Sequence, residues 1–146
     1  MCKREYSIVA DLSREQVWKA WSDVSNWNKW DHDIEWSALK GKFKNGGAIT
    51  LKPRGSGIVH GVIEDCILLA SFANATKIKL CGVKLATLRF SHFLENHNEA
   101  IKITNRIEVS GPFAWIFWLL IGKNIANCFP ESLASFLAYA KSLRSE

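Results

Sequence analysis

The chain has 146 residues, of which 48% are hydrophobic and 23% are charged, and its net charge is +5. This length suffices for one domain with a sizeable core but not for two, and the composition excludes a disordered chain. We therefore expect a single domain over residues 1–146. The Lys and Arg residues are scattered without a run of five, which argues against a nucleic-acid partner.

The cysteines indicate a reducing compartment. None of the four forms a C-x-x-C pair, and the N-terminal sequence lacks the apolar core of a signal peptide. We therefore expect a reduced, cytoplasmic protein. The four residues are Cys2, Cys66, Cys81 and Cys128.

The N-terminal segment predicts a strand followed by helices. Glu5 to Leu12 alternates apolar and polar residues with the period of two that is typical of a strand. Ser13 to Gln16 then forms a capping box, in which the Ser hydroxyl accepts from the backbone N–H of Gln16 and the Gln16 side chain reaches back. Asn26 to Asp33 is polar with two Trp and predicts a short second helix or a turn. The buried stripe of the first helix comprises Val17, Trp18, Ala20, Trp21 and Val24.

The middle of the chain predicts six further strands, which Gly, Asn and Pro residues separate by short turns. Strands joined by short turns form an antiparallel meander. The predicted strands are Ile34 to Leu39, Ala48 to Lys52, Ile58 to Cys66, Ser71 to Lys79, Leu85 to Glu95 and Ala100 to Val109.

A long helical stretch follows the last strand. Phe113 to Ile121 is apolar nearly all round but is shorter than the roughly 20 residues that a membrane span needs, which favours a buried or interfacial helix. Pro130 either kinks one helix or starts a second. A sheet wrapped round such a helix commonly encloses an apolar cavity, so the order of elements predicts an α+β fold that binds a hydrophobic molecule. The amphipathic stripe after Pro130 comprises Leu133, Phe136, Leu137 and Ala140.

Several segments together carry a resemblance to a known family. The sequence resembles the START-like or SRPBCC superfamily, which includes polyketide cyclase/dehydrase, lipid-transport and birch-pollen-allergen-like proteins. The resemblance covers Lys3 to Leu143. The segments are Ala10-Asp11-Leu12, Val17 to Val24, the W-x-x-W-D of Trp27 to Asp31, Gly41 and Gly46-Gly47.

The resemblance implies a helix-grip fold, in which a seven-stranded antiparallel sheet curls round a long C-terminal helix and two short helices follow the first strand. It also implies a hydrophobic cavity that holds a lipid, a polyketide or a hormone. The superfamily shares no catalytic motif, so the resemblance transfers no catalytic residue. Phe113 to Ile121 is more apolar than the resemblance implies, which leaves open a membrane contact or a homodimer.

Strand periodicity selects the polar candidates for a binding site. If the apolar face of the sixth strand points inwards, His92 lies beside Phe90 on that face, and the same parity places Asn105 inwards on the seventh strand. Asn74 shares its parity with Phe72, so it faces either the cavity or, on a twisted strand, the solvent. These side chains either orient a ligand or satisfy one another's hydrogen bonds as buried polar groups must.

Aromatic residues are the second set of candidates, because a Trp ring can stack on a flat ligand. The alternative is that these rings are core residues. The complete set of predicted ligand-binding residues is Trp30, Trp36, Asn74, Phe90, His92, Asn105, Trp115 and Trp118.

Metal and cofactor sites have no support in the sequence. The acidic and His residues between Asp31 and Glu35 match no strong metal pattern, and a solvated connection explains them better. The segment Gly55-Ser56-Gly57 fails the dinucleotide pattern because His60 stands where the last Gly belongs. We therefore expect neither a metal nor a cofactor.

Three functions remain open at this stage. The first is non-enzymatic binding or transport of a hydrophobic small molecule such as a lipid, a polyketide or a quinone-like compound. The second is a cyclase/dehydrase-type enzyme with His92 as general acid or base, for which Glu64 is the best available partner. The third is a membrane- or protein-partner module that uses the apolar C-terminal helix.

Overall fold

One antiparallel sheet of seven strands dominates the computed structural model, which describes residues 1–143. The spatial order is β1-β7-β6-β5-β4-β3-β2, so β2 to β7 form a meander and β1 adds to it beside β7. This order confirms the meander that the turn signals predicted. The strands are β1 (Cys2–Ala10), β2 (Ile34–Lys40), β3 (Ala48–Pro53), β4 (Val59–Ile67), β5 (Ser71–Leu80), β6 (Val83–His97) and β7 (Ala100–Ser110).

The helices lie at two places in the chain. Two of them follow β1, namely α1 (Arg14–Ser22) and a 3₁₀ helix, Val24–Lys29. The others follow β7, and none within residues 1–143 is long and apolar enough to cross a bilayer. They are α2 (Ala114–Phe117), a π-helix (Trp118–Gly122), α3 (Lys123–Asn127) and α4 (Phe129–Ser142).

The start of α1 has the predicted capping box. The Gln16 N–H donates to the Ser13 Oγ at 3.1 Å, and the Ser13 N–H donates to the Gln16 Oε1 at 3.0 Å. Two backbone N–H groups at the start of the helix, which would otherwise lack partners, therefore donate to side chains. The strand before it, β1, begins at Cys2 and ends at Ala10, so it lies two to three residues N-terminal of the predicted range.

The C-terminal helical stretch is interrupted at two places. Pro130 starts a second helix, as one of the two sequence alternatives predicted: it stands in the first turn of α4, where a missing N–H leaves no helical hydrogen bond unmade. The π-helix was not predicted; it precedes α3, and its last residue, Gly122, lies against β7. A Cβ added at Gly122 would meet the Trp118 ring at 2.7 Å and the Val109 side chain at 3.1 Å.

The core has a large part and a small part. The large part lies between the inner face of the sheet and the helices α1, 3₁₀ and α4, and its aromatic centre is Trp21, Trp27, Phe72 and Phe136. The small part lies beneath α2, the π-helix and α3. Its buried members are Ala86, Leu88, Ile107, Val109, Ala114, Ala126 and Phe129.

Candidate functional site

A row of polar and aromatic side chains crosses the inner face of the sheet. Phe72 of β5 is directly opposite His92 of β6, and His92 is opposite Asn105 of β7. The Nδ1–H of His92 donates to the Oδ1 of Asn105 at 2.9 Å. Phe72 stacks on the imidazole at 4.5 Å between ring centroids, and the Trp21 ring lies 5.7 Å away. The inner side of His92 is therefore filled by aromatic core.

This environment keeps the imidazole of His92 neutral. Burial lowers the pKa of His92 to about 4, and the hydrogen bond to Asn105 opposes that shift only in part. The proposed acid–base partner Glu64 lies on the other face of the sheet, where its carboxylate is 3.3 Å from the Arg89 guanidinium. His92 and Glu64 are thus not brought together, and at neutral pH His92 has no proton to give as an imidazolium.

Asn74 lies in the next row of the inner face. Ile63 of β4 and Phe90 of β6 are opposite it on either side. Asn74 is 4% exposed, and its Oδ1 has no hydrogen-bond partner among residues 1–143. A buried acceptor without a partner costs about 1–3 kcal/mol. Among residues 1–143 the Trp30 Nε1 and the Ser91 Oγ are also buried without a partner, and of the three atoms the Asn74 Oδ1 is the one on the inner face of the sheet.

Gly61 makes room for the Asn74 side chain. A Cβ at Gly61 would lie 2.1 Å from the Asn74 Oδ1 and 3.2 Å from the Thr76 Oγ1. Gly61 is not among the predicted site residues, although a glycine inside a strand is a known signal of close approach by another group.

The inner face around Asn74 remains partly exposed. Ile63, directly opposite Asn74, is buried, but several other side chains on the same side of the sheet are only half-buried. Two of them, Ile78 and Phe90, pack on the small core together with Phe117 and Trp118. Half-buried side chains leave part of their apolar surface accessible. We call this set the apolar inner surface: Leu51, Val59, Asn74, Thr76, Ile78 and Phe90.

Two of the predicted ligand-binding Trp residues lie elsewhere. Trp30 is a core residue whose ring meets Phe136 edge-on at 4.8 Å. Trp36 is 40% exposed, because a β-bulge between Ile34 and Trp36 turns Ser37 inwards instead. The Ser37 hydroxyl donates to the carbonyl of Val24 at 2.5 Å. Neither Trp30 nor Trp36 therefore contributes to the apolar inner surface.

The other two Trp residues lie on the helical stretch after β7. Trp115 is 63% exposed and points away from the sheet, so it does not share a site with His92 and Asn105. Trp118 is half-buried against the small core, and the Arg4 guanidinium lies 5.7 Å from the centre of its ring. Of the predicted set, Asn74 and Phe90 thus belong to the apolar inner surface, His92 and Asn105 form the adjacent row, and Trp118 borders it.

Two hollows on the surface lie apart from these residues. One of about 390 Å³ lies between the end of β1 and the β6–β7 turn, and its lining includes Val9, Asp11 and Asn98. The other, of about 370 Å³, lies beside the capping box and Lys141. The described residues, 1–143, bring together no group of three or more His, Cys, Asp and Glu side chains that could hold a metal.

Comparisons with known proteins identify the fold. No protein-family model matches the chain, and no curated protein matches its sequence. The hypothetical protein jhp0584 from Helicobacter pylori is similar in structure, with a TM-score of 0.74 at 15% identity over 95% of this chain and 88% of that one. Ara h 8.0201 matches at a TM-score of 0.67 and 13% identity, over 97% of this chain and 98% of the other.

A third similar structure is the Aha1 dimer from Colwellia psychrerythraea, with a TM-score of 0.66, 14% identity and 92% of each chain covered. At such identities the similarity is one of fold alone. The chain has the START-like, or SRPBCC, helix-grip fold, as the resemblance implied: a seven-stranded antiparallel sheet, short helices after β1 and a C-terminal helix.

Proposed function

We propose that the protein binds or transports a hydrophobic small molecule, such as a lipid, a polyketide or a quinone-like compound, without catalysing a reaction. The ligand lies on the apolar inner surface, in front of Asn74. The observation that carries the proposal is the buried Asn74 Oδ1, which has no partner among residues 1–143 and lies beside the half-buried side chain of Phe90.

The chemistry of this surface defines the class of ligand. Apolar burial contributes roughly 25 cal/mol per Å², so a ligand that shields about 300 Å² gains roughly 7 kcal/mol towards binding. The Asn74 Oδ1 can only accept a hydrogen bond, and it therefore selects a ligand that carries an O–H or N–H group. The preferred ligand is an apolar molecule with one donor group.

His92 and Asn105 have a positioning role in this proposal. Their mutual hydrogen bond and the stacking of Phe72 on the imidazole support the inner face beside Asn74. Because His92 is neutral and Glu64 lies on the opposite face, we propose no general acid–base chemistry. The four free cysteines support a carrier that works in a reducing compartment, and we propose the cytoplasm.

Replacing Asn74 by Leu tests ligand selectivity without an expected loss of folding stability. Asn74→Leu removes an unsatisfied buried acceptor, so we expect the free variant to be as stable as the wild type or more stable. Calorimetric titration with a long-chain alcohol and with its methyl ether, which lacks the donor, measures selectivity. We expect the wild type to prefer the alcohol by about five-fold, which corresponds to one neutral hydrogen bond, and Asn74→Leu to lose that preference.

Asn105→Leu is the matched control, because it also replaces an inner-face Asn but leaves the Nδ1–H of His92 without its partner. We expect this variant to lose about 1–3 kcal/mol of stability while retaining the preference for the alcohol. Failure of the wild type to bind either compound, or an unchanged preference in Asn74→Leu, contradicts the proposal.

A further inference from the structure

An exposed apolar surface lies at the end of the sheet where β5 turns into β6 and where β7 ends. Leu80 and Val83 face each other at the tip of the hairpin and are 65% and 62% exposed. The N–H of Phe113 donates to the carbonyl of Leu85 at 3.1 Å, which ties the start of the helical stretch to the base of this hairpin. The helical stretch thereby brings its own exposed apolar side chains to the same end.

The solvent side of that helical stretch is apolar over two turns. Trp115, Leu119 and Leu120 are 63%, 57% and 64% exposed. Side chains of this size that remain in water and lie next to one another mark an interaction site more often than a monomer surface. We call the combined surface the basic apolar face: Leu80, Val83, Phe113, Trp115, Leu119 and Leu120 with the lysines named next.

The charged residues of the two contributing segments are all positive. Lys77, Lys79 and Lys84 are exposed on the outer side of the hairpin next to its tip, and Lys123 is exposed one turn after Leu119 and Leu120. The sequence has no Asp or Glu from 66 to 94 or from 109 to 130.

We propose that the basic apolar face docks on the surface of an anionic phospholipid membrane. Trp favours the interface between hydrocarbon and water, and Leu and Val insert their side chains into it. The negative surface potential of the membrane attracts each Lys and so strengthens binding. Combining insertion with charge provides the two signals that stable peripheral binding needs. A protein partner fits less well, because Lys is depleted at protein–protein interfaces.

This docking is independent of the ligand proposed above. The face uses the outer side of the helical stretch, whereas Phe117 and Trp118 lie on its inner side towards the small core. A protein that lacked any internal ligand would still dock. A ligand carrier that never docked would still bind its ligand.

Co-sedimentation of the full chain with phosphatidylcholine vesicles, with and without phosphatidylserine, tests the proposal. We expect binding to the phosphatidylserine vesicles at about 0.05 M salt and its loss at about 0.5 M salt, because salt screens exposed charges. Charge reversal of Lys79→Glu with Lys84→Glu lowers the partition coefficient by about ten-fold or more. The pair Trp115→Ser with Leu120→Ser removes the inserted side chains and weakens binding as well.

Matched control variants come from the opposite end of the sheet. Lys42→Glu with Lys44→Glu makes the same change of charge at exposed sites before β3. Ile67→Ser with Leu68→Ser removes two apolar side chains that are 61% and 72% exposed in the β4–β5 turn. Both controls are expected to bind vesicles as the wild type does.

Three results overturn the proposal. The first is a wild type that remains in the supernatant with anionic vesicles at low salt. The second is an equal effect of the test and control pairs. The third is a dimer, seen by light scattering, that the Trp115→Ser and Leu120→Ser pair dissociates, since the face would then contact a second copy of the chain.

Discussion

His92 is a titratable side chain that the fold keeps uncharged, and its enclosure has a consequence for stability. The unfolded chain protonates His92 near pH 6.5, whereas burial lowers the pKa in the folded protein to about 4. As pH falls between these values, the unfolded state takes up a proton that the folded state does not. Stability that is present above pH 6.5 is therefore lost progressively towards pH 4.

We expect His92→Gln to reduce this acid sensitivity. The full shift corresponds to about 3 kcal/mol between pH 6.5 and pH 4. Urea denaturation of both proteins across this range measures the difference. Asp31, whose pKa burial raises, acts in the opposite direction, but it is common to both proteins and cancels. Parallel pH profiles of wild type and variant would show that His92 titrates normally in the folded state.

At the scale of single residues, the sequence correctly predicted on which face of the sheet a side chain lies where the strands are regular. The period of two placed His92 and Asn105 on the inner face and left Asn74 between the inner face and solvent, and the structure has all three on the inner face. It could not locate Trp36, because the β-bulge before that residue changes the parity of β2. A bulge depends on the partner strand and leaves no period in its own strand.

At the scale of elements, the C-terminal helical stretch differs most from its prediction. Hydrophobic periodicity indicated helix correctly from Phe113 onwards, but it could not show that a π-helix interrupts the stretch. The interruption coincides with the close approach of Gly122 to Val109 of β7. Such an approach depends on a residue far away in the sequence, so no local pattern records it.

We expect Gly122→Ala to lower the free energy of unfolding by about 1–3 kcal/mol, because the added methyl group overpacks this contact. Helix propensity alone predicts the opposite sign, since Ala favours a helix over Gly by about 1 kcal/mol. Urea denaturation distinguishes the two signs. Asn124→Ala, at an exposed position two residues later, is the control and should leave stability unchanged or raise it slightly. A stabilised Gly122→Ala variant would contradict the close packing.

At the scale of the whole molecule, the sheet has an inner face with two different halves. Beneath α1 and α4, the rings of Trp21, Phe72 and Phe136 fill the interior. Around Asn74, the apolar inner surface stays half-exposed and keeps an unpartnered acceptor. The aromatic load of the sequence therefore closes one half, and the proposed ligand site lies in the other.

Native mass spectrometry of the protein as purified from cells, followed by organic extraction, tests the central claim most directly. We expect one hydrophobic molecule with an O–H or N–H group per chain, and a lower occupancy in Asn74→Leu than in Asn105→Leu. A wild type that has only the mass of its own chain, and that shows no thermal shift with hydrophobic ligands, would contradict the claim that the apolar inner surface is a binding site.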